Sequence, residues 1–261
     1  MTTRRHFLTI GGALALTGIL TIPVSTAAQT SDTFPTESGE IVVHPISHAS
    51  FWMETPAGVI LVDPVGAEAD YEDMPDPDLV LITHEHGDHY DPELLSEITA
   101  GKTQMITNIA VYDMLPSALQ MMTQQVANGD STDALGVEIT AVPAYNITEG
   151  RLDFHPEGRD NGYVLAIDGM RVYVSGDTEG TSEMRALKDI DLAFVSMNLP
   201  FTMAVEQAAD AVAEFAPAHV YPYHYRGRDG GTQDPEAFAE LLQQAGAGTE
   251  VHIGNWYPEG L

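Results

Sequence analysis

The chain contains no cysteine among its 261 residues. Disulfide bonds, thiolate metal ligands and a cysteine nucleophile are therefore excluded. Basic residues are also scarce, since 10 Lys and Arg stand against 39 Asp and Glu and give a formal net charge of -29. Nucleic-acid binding depends on Lys and Arg at phosphates, so we expect no nucleic-acid partner and a small-molecule substrate instead.

Several common catalytic motifs are absent as well. The sequence has no G-x-S-x-G motif, no P-loop and no dinucleotide-binding fingerprint, so nothing in it indicates a serine hydrolase of that type, a P-loop nucleoside triphosphatase or a dinucleotide enzyme. The acidic excess keeps a protein soluble at high ionic strength, where its self-repulsion is screened. We therefore expect a halophilic source.

Residues 1–28 have the pattern of a secretory signal peptide. Arg4 and Arg5 precede an apolar run, and small residues follow it, which is the usual order of a charged start, an apolar middle and a cleavage region. The paired arginines resemble a twin-arginine signal. We predict cleavage after Ala27 or Ala28, export to the periplasm or beyond, and no stable membrane insertion afterwards. The alternative is an uncleaved membrane anchor.

Residues 29–39 are polar and are predicted to form a linker, and residues 40–261 are predicted to form a single domain. From Ile41 onwards, short β-branched and aromatic runs are broken by Pro and Gly, which is typical of strands. Helices are predicted after Asp91, in 202–217 and in 234–246, and more ambiguously in 115–130. Strands followed by mixed strand and helix units predict an α/β domain with helices packed on sheets.

Histidines and carboxylates follow four of the predicted strands. They are His84, His86, Asp88 and His89 after "DLVLI", Asp63 after "VILV", Asp177 after "RVYVSG" and His224 after "HVYPY". Ligands gather at the carboxyl ends of strands in sheets with helices. Imidazole and carboxylate without thiolate suit zinc, with iron or manganese as alternatives. Two neighbouring cations would turn a shared water into hydroxide near neutral pH.

The segment His84–His89, "HEHGDH", resembles the H-x-H-x-D-H signature of the metallo-β-lactamase superfamily. The later "SGDTE" and "PYHY" are similar to the bridging aspartate and the last histidine of that family. The opening "SHASFWMETPAGVILVDP" is similar to the lactonase-like and uncharacterised hydrolase branch. The resemblance covers Ile41 to the C-terminus. It implies an αββα sandwich, in which two mixed sheets pack face to face with helices outside, and a dinuclear zinc centre between the sheets.

The resemblance also implies a ligand set. The first metal would be held by His84 and His86, the second by Asp88, His89 and His224, and Asp177 would bridge the two. The first site needs a third imidazole, but Tyr145-Asn146 stand where the family places it. We predict that His155 reaches in from a longer loop. Otherwise Asn146 or water completes the site, or one metal alone binds tightly.

Further residues are weaker candidates for the site. His48 lines the pocket or is a core histidine, and Asp63 orients a ligand histidine or simply ends its strand. Asn198 lines the pocket or belongs to a turn. Arg226 grips a substrate carboxylate or phosphate or pairs with a local carboxylate.

These residues favour an exported zinc-dependent hydrolase with two zinc ions per chain. A metal-bridging hydroxide would attack a lactone, an amide or a phosphate ester, and the catalytic Asp88 would position the nucleophile or receive its proton. One alternative is a non-catalytic metal-binding scaffold of the same fold. Another is a β-lactamase in the strict sense.

Overall fold

A computed structural model of the chain describes residues 32–227 and 231–257. The predicted signal peptide and the first residues of the predicted linker lie outside these ranges. The described residues belong to one compact unit. Within the described ranges, no helix is long and apolar enough to cross a membrane.

The described residues form fourteen strands, six α-helices and a short 3-10 helix at Glu68–Tyr71. The strands are β1 Asp32–Pro35, β2 Glu40–Ser47, β3 Ser50–Thr55, β4 Gly58–Val62, β5 Leu79–Ile82, β6 Gln104–Thr107, β7 Thr123–Gln125, β8 Ser131–Ala134, β9 Val137–Ala144, β10 Asp160–Ile167, β11 Met170–Val174, β12 Leu192–Ser196, β13 His219–Tyr223 and β14 Glu250–Val251. The helices are α1 Pro92–Ile98, α2 Ile109–Met114, α3 Ser117–Gln120, α4 Ser182–Arg185, α5 Val205–Phe215 and α6 Pro235–Ala245.

The strands form two mixed sheets of seven, one from β1–β7 and the other from β8–β14. In each sheet the first four strands pair antiparallel, and the remaining pairings are parallel. The predicted αββα sandwich is confirmed. The sequence shows no internal repeat, yet the two sheets have the same order of antiparallel and parallel strand pairings.

The main core lies between the sheets, and alternate residues of β5 show how it is built. Leu79 and Leu81 belong to this inter-sheet core, whereas Val80 and Ile82 belong to a second cluster that includes Leu94 of α1. All four β5 side chains have no exposed surface. Each such burial contributes about 1.5–3 kcal/mol. The strand is therefore held on both faces, as its apolar run predicts, and the loop that follows has a rigid origin.

Helix α1 fixes the other end of that loop. The Asp91 carboxylate accepts hydrogen bonds from the backbone N–H of Glu93 and of Leu94, at 3.0 and 3.1 Å, and Pro92 occupies the first turn. These are strong helix-start features. The segment between β5 and α1, which carries the "HEHGDH" motif, is thus anchored on both sides.

Two predictions about elements were wrong. The predicted linker contains β1, which pairs antiparallel with β2 and buries Phe34; this edge pairing supplies structure that a polar sequence does not signal. The predicted helix 115–130 stops after α3, because Thr123–Gln125 pairs with β6 as strand β7. Tertiary hydrogen bonds to the neighbouring strand outweigh local helix preference here.

Candidate metal centre

The site lies where parallel strands end. Asp63 directly follows β4, the histidine motif follows β5, and Asp177, Asn198 and His224 come after β11, β12 and β13. This is the position in which sheets with helices collect ligands. Strands of both sheets therefore deliver side chains to one place.

The first cluster consists of His84, His86 and His155, whose ring nitrogens lie within 4.8 Å of one another. His84 Nε2 is 3.0 Å from His86 Nδ1. His155 comes from the loop between β9 and β10, which folds back because the Asn146 N–H donates to the His155 carbonyl at 2.9 Å. His155, rather than Asn146, is thus the third side chain of this cluster. Asn146 Oδ1 lies behind it, 3.4 Å from His155 Nδ1.

The second cluster surrounds the Asp177 carboxylate. Asp177 Oδ1 is 3.5 Å from His89 Nε2, and its Oδ2 is 3.4 Å from His224 Nε2. The same Oδ2 is 3.5 Å from His155 Nε2 in the first cluster, so this carboxylate adjoins both. Asp88 Oδ2 lies 3.5 Å from His224 Nε2. All seven predicted ligand side chains are therefore brought together.

The donor set fits metal ions. His89 Nε2, His155 Nε2 and Asp177 Oδ1 are buried and have no hydrogen-bond partner within the described part of the chain, although buried polar atoms are normally satisfied. Two ligands bound at 2.0–2.1 Å with a tetrahedral angle lie about 3.3 Å apart. The ligand separations of 3.0–3.5 Å in the two clusters agree with that spacing. A cation among these atoms would satisfy them.

The histidines of the two clusters are tuned in opposite directions. Burial lowers the pKa of His155 to about 4, and the pKa of His84 falls well below its usual range for the same reason. Burial also acts to lower the pKa of His224, but Asp177 and Asp88 outweigh it and raise the value to about 9. Nearby carboxylates thus favour a proton on the second cluster, whereas the first is neutral near pH 7.

Asp88 is ionised despite its partial burial. Burial alone would raise the pKa of this carboxyl, but hydrogen bonds from His224 and His48 hold it well below its usual range. Asp177 behaves similarly, because the surrounding histidines outweigh its burial and lower its pKa. The centre therefore presents two carboxylates in the form that binds cations.

Asp63 supports the ligand loop from behind, as one of the two sequence interpretations holds. Its carboxylate accepts from His89 Nδ1 at 2.8 Å, from the Thr83 N–H at 2.7 Å and from the Thr83 hydroxyl at 2.6 Å. The bond between His89 Nδ1 and Asp63 directs the opposite ring nitrogen, His89 Nε2, towards Asp177. The role of Thr83, which also lies 3.0 Å from His84 Nδ1, was not predicted.

Three residues of the site have left-handed backbone conformations. The φ angles are 56° at His48, 44° at Asp63 and 48° at His224. Such conformations cost non-glycine residues about 1–3 kcal/mol and persist where surrounding structure enforces them. Glycine would relieve this strain but would remove the side chain that the site uses.

The remaining candidates lie around the second cluster. His48 Nε2 is 3.4 Å from Asp88 Oδ2, so His48 lines the site. Asn198 Nδ2 is 3.0 Å from His224 Nε2. The Arg226 guanidinium stacks over the Tyr257 ring, 4.1 Å from its centroid. Tyr257, whose hydroxyl is 2.9 Å from His48 Nδ1, was missed because an isolated tyrosine near a chain end carries no sequence signal.

Comparison with known proteins agrees with this geometry. A family model described as "Beta-lactamase superfamily domain" matches residues 43–224. The chain belongs to the β-lactamase superfamily.

Within this superfamily, the chain is similar to proteins named UPF0173 metal-dependent hydrolase. The one from Pyrococcus abyssi is 32% identical over 208 residues, covering 76% of this chain and 90% of the relative. The one from Methanopyrus kandleri is 32% identical over 218 residues, covering 80% and 94%. A crystallised protein of Parabacteroides distasonis is 40% identical with a TM-score of 0.79, covering 88% of this chain and 100% of that one. The chain is thus a metal-dependent hydrolase of the metallo-β-lactamase fold.

The support behind His89 can be tested in this hydrolase by replacing Asp63. We expect Asp63→Asn to weaken metal binding 10- to 100-fold, the usual loss when a carboxylate behind a ligand histidine is changed. Metal affinity would be measured by competition with a chromophoric chelator. Asp78→Asn is the matched control, since Asp78 also accepts from a backbone N–H, that of Val59, outside the clusters. Equal affinities in both variants would contradict the assigned role.

Proposed function

We propose that this chain is an exported zinc-dependent hydrolase that holds two zinc ions and cleaves a small lactone, amide or phosphate ester. The observation that carries the proposal is the convergence of three buried polar atoms that have no hydrogen-bond partner among the described residues, namely His89 Nε2, His155 Nε2 and Asp177 Oδ1. Leaving a buried polar atom without a hydrogen bond costs about 1–3 kcal/mol, and a metal ion bound among these three atoms would remove that cost.

The ligand residues fall into two proposed metal sites. His84, His86 and His155 would hold one ion, Asp88, His89 and His224 the other, and Asp177 lies between them. When bound, such ions supply Lewis acidity and lower the pKa of a coordinated water. Nitrogen and oxygen ligands without sulfur are compatible with zinc and also with iron or manganese.

A hydrogen-bonded chain leads away from the Asp88 carboxylate. The Arg226 N–H donates to the Tyr257 hydroxyl at 3.2 Å, that hydroxyl lies 2.9 Å from His48 Nδ1, and His48 Nε2 lies 3.4 Å from Asp88. Burial lowers the pKa of His48, so the ring is neutral near pH 7 and offers one N–H. Asp88 is the positioning base in this proposal, and His48, which Tyr257 holds from the other side, orients the Asp88 carboxylate.

The rim of the site favours a substrate with an apolar portion. The loop that carries His155 contacts the turn after Asn198, because Asn146 Nδ2 donates to the Phe201 carbonyl at 2.6 Å. Phe201 also packs edge-on against Phe154, with ring centroids 5.1 Å apart. Exposed apolar side chains lie on these two segments: Ile147, Leu152 and Leu199. Exposed apolar side chains on the two segments that carry His155 and Asn198 are available for contact with a substrate.

Export and a saline habitat belong to the same proposal. They rest on the charged and apolar start of the sequence and on the net charge of -29. Among these candidates, a neutral lactone or amide suits this surface better than an anionic phosphate ester, because the overall negative field repels anions.

The function is tested by metal content and turnover together. We expect the purified mature chain to contain about two zinc ions by plasma mass spectrometry. We also expect it to hydrolyse at least one member of a lactone, amide, carboxylic ester and phosphodiester panel. Chelation should abolish turnover and zinc should restore it, because the ions supply the Lewis acid.

The controls separate the alternatives. His44→Ala removes an imidazole that stacks on Trp52 and pairs with Glu54 away from the clusters, so its turnover should equal that of the wild type. Turnover that survives chelation would contradict metal dependence. A zinc-loaded chain without turnover on any class would favour the scaffold, and nitrocefin turnover would favour a strict β-lactamase.

A further inference from the structure

A second group of metal-type side chains lies away from the centre described above. His219 begins β13, Glu250 begins β14 and His252 follows β14. We call these three residues the edge cluster. His219 and the centre's His224 bracket opposite ends of β13, and five residues at about 3.3 Å each separate them by about 16 Å. The edge cluster is therefore a different site.

The geometry of the edge cluster is that of ligands around one ion. His219 Nδ1 is 3.1 Å from His252 Nε2 and 3.5 Å from Glu250 Oε2. One ligand atom from each residue lies within 4.8 Å of the others. These separations bracket the roughly 3.3 Å expected between two ligands on a tetrahedral zinc. They also match those of the main centre.

A carboxylate supports the edge cluster from behind. Asp32 Oδ2, on β1, lies 3.3 Å from His252 Nδ1 and accepts a hydrogen bond from the Tyr221 hydroxyl. A proton on His252 Nδ1 would face Asp32 and leave the Nε2 lone pair directed at His219. Ligand histidines usually have such a carboxylate partner, and Asp63 gives His89 the same support in the main centre.

Aromatic packing holds the two imidazoles in place. The Phe34 ring lies 5.1 Å from the His219 ring and 5.2 Å from the His252 ring, edge-on in both cases. The side chains of His219, Glu250 and His252 are 32%, 67% and 15% exposed. The rings are thus fixed while one side of the cluster is open to solvent, and fixed ligands lose little entropy on binding.

We propose that the edge cluster is an additional binding site for a divalent transition metal such as zinc. The bound ion would join β13 to the end of β14. Through Asp32 it would also reinforce the contact of β1, an outer strand of the first sheet, with the second sheet. The ligands of the ion would be two imidazoles and one carboxylate, with water completing the shell.

The test compares bound zinc in the full mature chain and in His219→Gln. After dialysis against buffered free zinc, we expect the wild type to retain one zinc per chain more than the variant, with kcat/KM for hydrolysis unchanged. Zinc should also raise the Tm of the wild type more than that of the variant. Because only the difference is read, the result stands whether or not the main centre behaves as proposed.

Two further variants keep the test decisive. Glu250→Gln changes a mostly exposed side chain that folding does not require, and it should also lower the zinc count. His44→Gln breaks a histidine–glutamate pair that has no third metal-type ligand among the described residues, and it should leave the count unchanged. Equal zinc in the wild type, His219→Gln and Glu250→Gln would overturn the proposal.

Discussion

An Asp177→Ala variant is expected to lose hydrolysis by about 10³-fold in kcat/KM and to lose at least one bound metal ion per chain. Asp177 is the carboxylate that adjoins three imidazoles, those of His89, His155 and His224, at 3.4–3.5 Å. Its removal takes a ligand from both clusters and leaves buried histidines without their anion. A loss of several kcal/mol of metal-based stabilisation corresponds to a factor of this size.

The measurement is steady-state turnover together with plasma mass spectrometry on the same sample. Asp113→Asn, which changes an exposed carboxylate on α2, serves as the control and should match the wild type in both readings. Far-UV circular dichroism would verify that the Asp177→Ala chain is folded. A folded variant with unchanged metal content would contradict the bridging position of Asp177.

Zinc affinity of the second cluster is expected to rise about tenfold per pH unit between pH 7 and 9. Burial opposes a charge on His224, but Asp177 and Asp88 raise its pKa to about 9 in the metal-free chain. A ligand histidine must be neutral, so the ion has to displace that proton. Burial lowers the pKa of His155 to about 4, so the first cluster has no proton to lose over this range. Its zinc affinity should therefore not change between pH 7 and 9.

Stability in the metal-free chain should move in the opposite direction. A raised folded-state pKa stabilises the fold below the unfolded value of 6.5, and the contribution of His224 is lost as pH rises through about 9. The chelated chain should therefore lose Tm from pH 6.5 to 9, while the zinc-loaded chain should not. Both trends are read by thermal unfolding and chelator competition over that range. A second-cluster affinity that does not change with pH would contradict the assignment.

The sequence predicted the fold where hydrophobic patterning is strong. The apolar run of β5 and the capped start of α1 gave their positions closely. The sequence did not predict strands β7 (Thr123–Gln125) and β8 (Ser131–Ala134), because they are short and polar and owe their pairing to neighbouring strands. Strand β1 was not predicted for the same reason. Propensity is a weak guide wherever the partner strand decides.

The site was predicted from residue type and order, and its geometry depends on contacts that the sequence does not show. His155 was chosen because no other histidine is near, but its arrival depends on the backbone bond from Asn146 and on Glu179. That buried carboxylate accepts from the N–H groups of Ile147 and Thr148 at 2.8 and 2.7 Å. Tyr257 enters through tertiary packing alone.

The division of the ligands between the two sheets has a consequence for folding and unfolding of the chain. The first half contributes the "HEHGDH" loop and Asp63, and the second contributes His155, Asp177 and His224. A nascent or unfolding chain whose halves have separated carries only a fragment of either cluster. Hydrolytic competence thus appears at the moment the sheets meet, and the chemistry itself reports that assembly is complete.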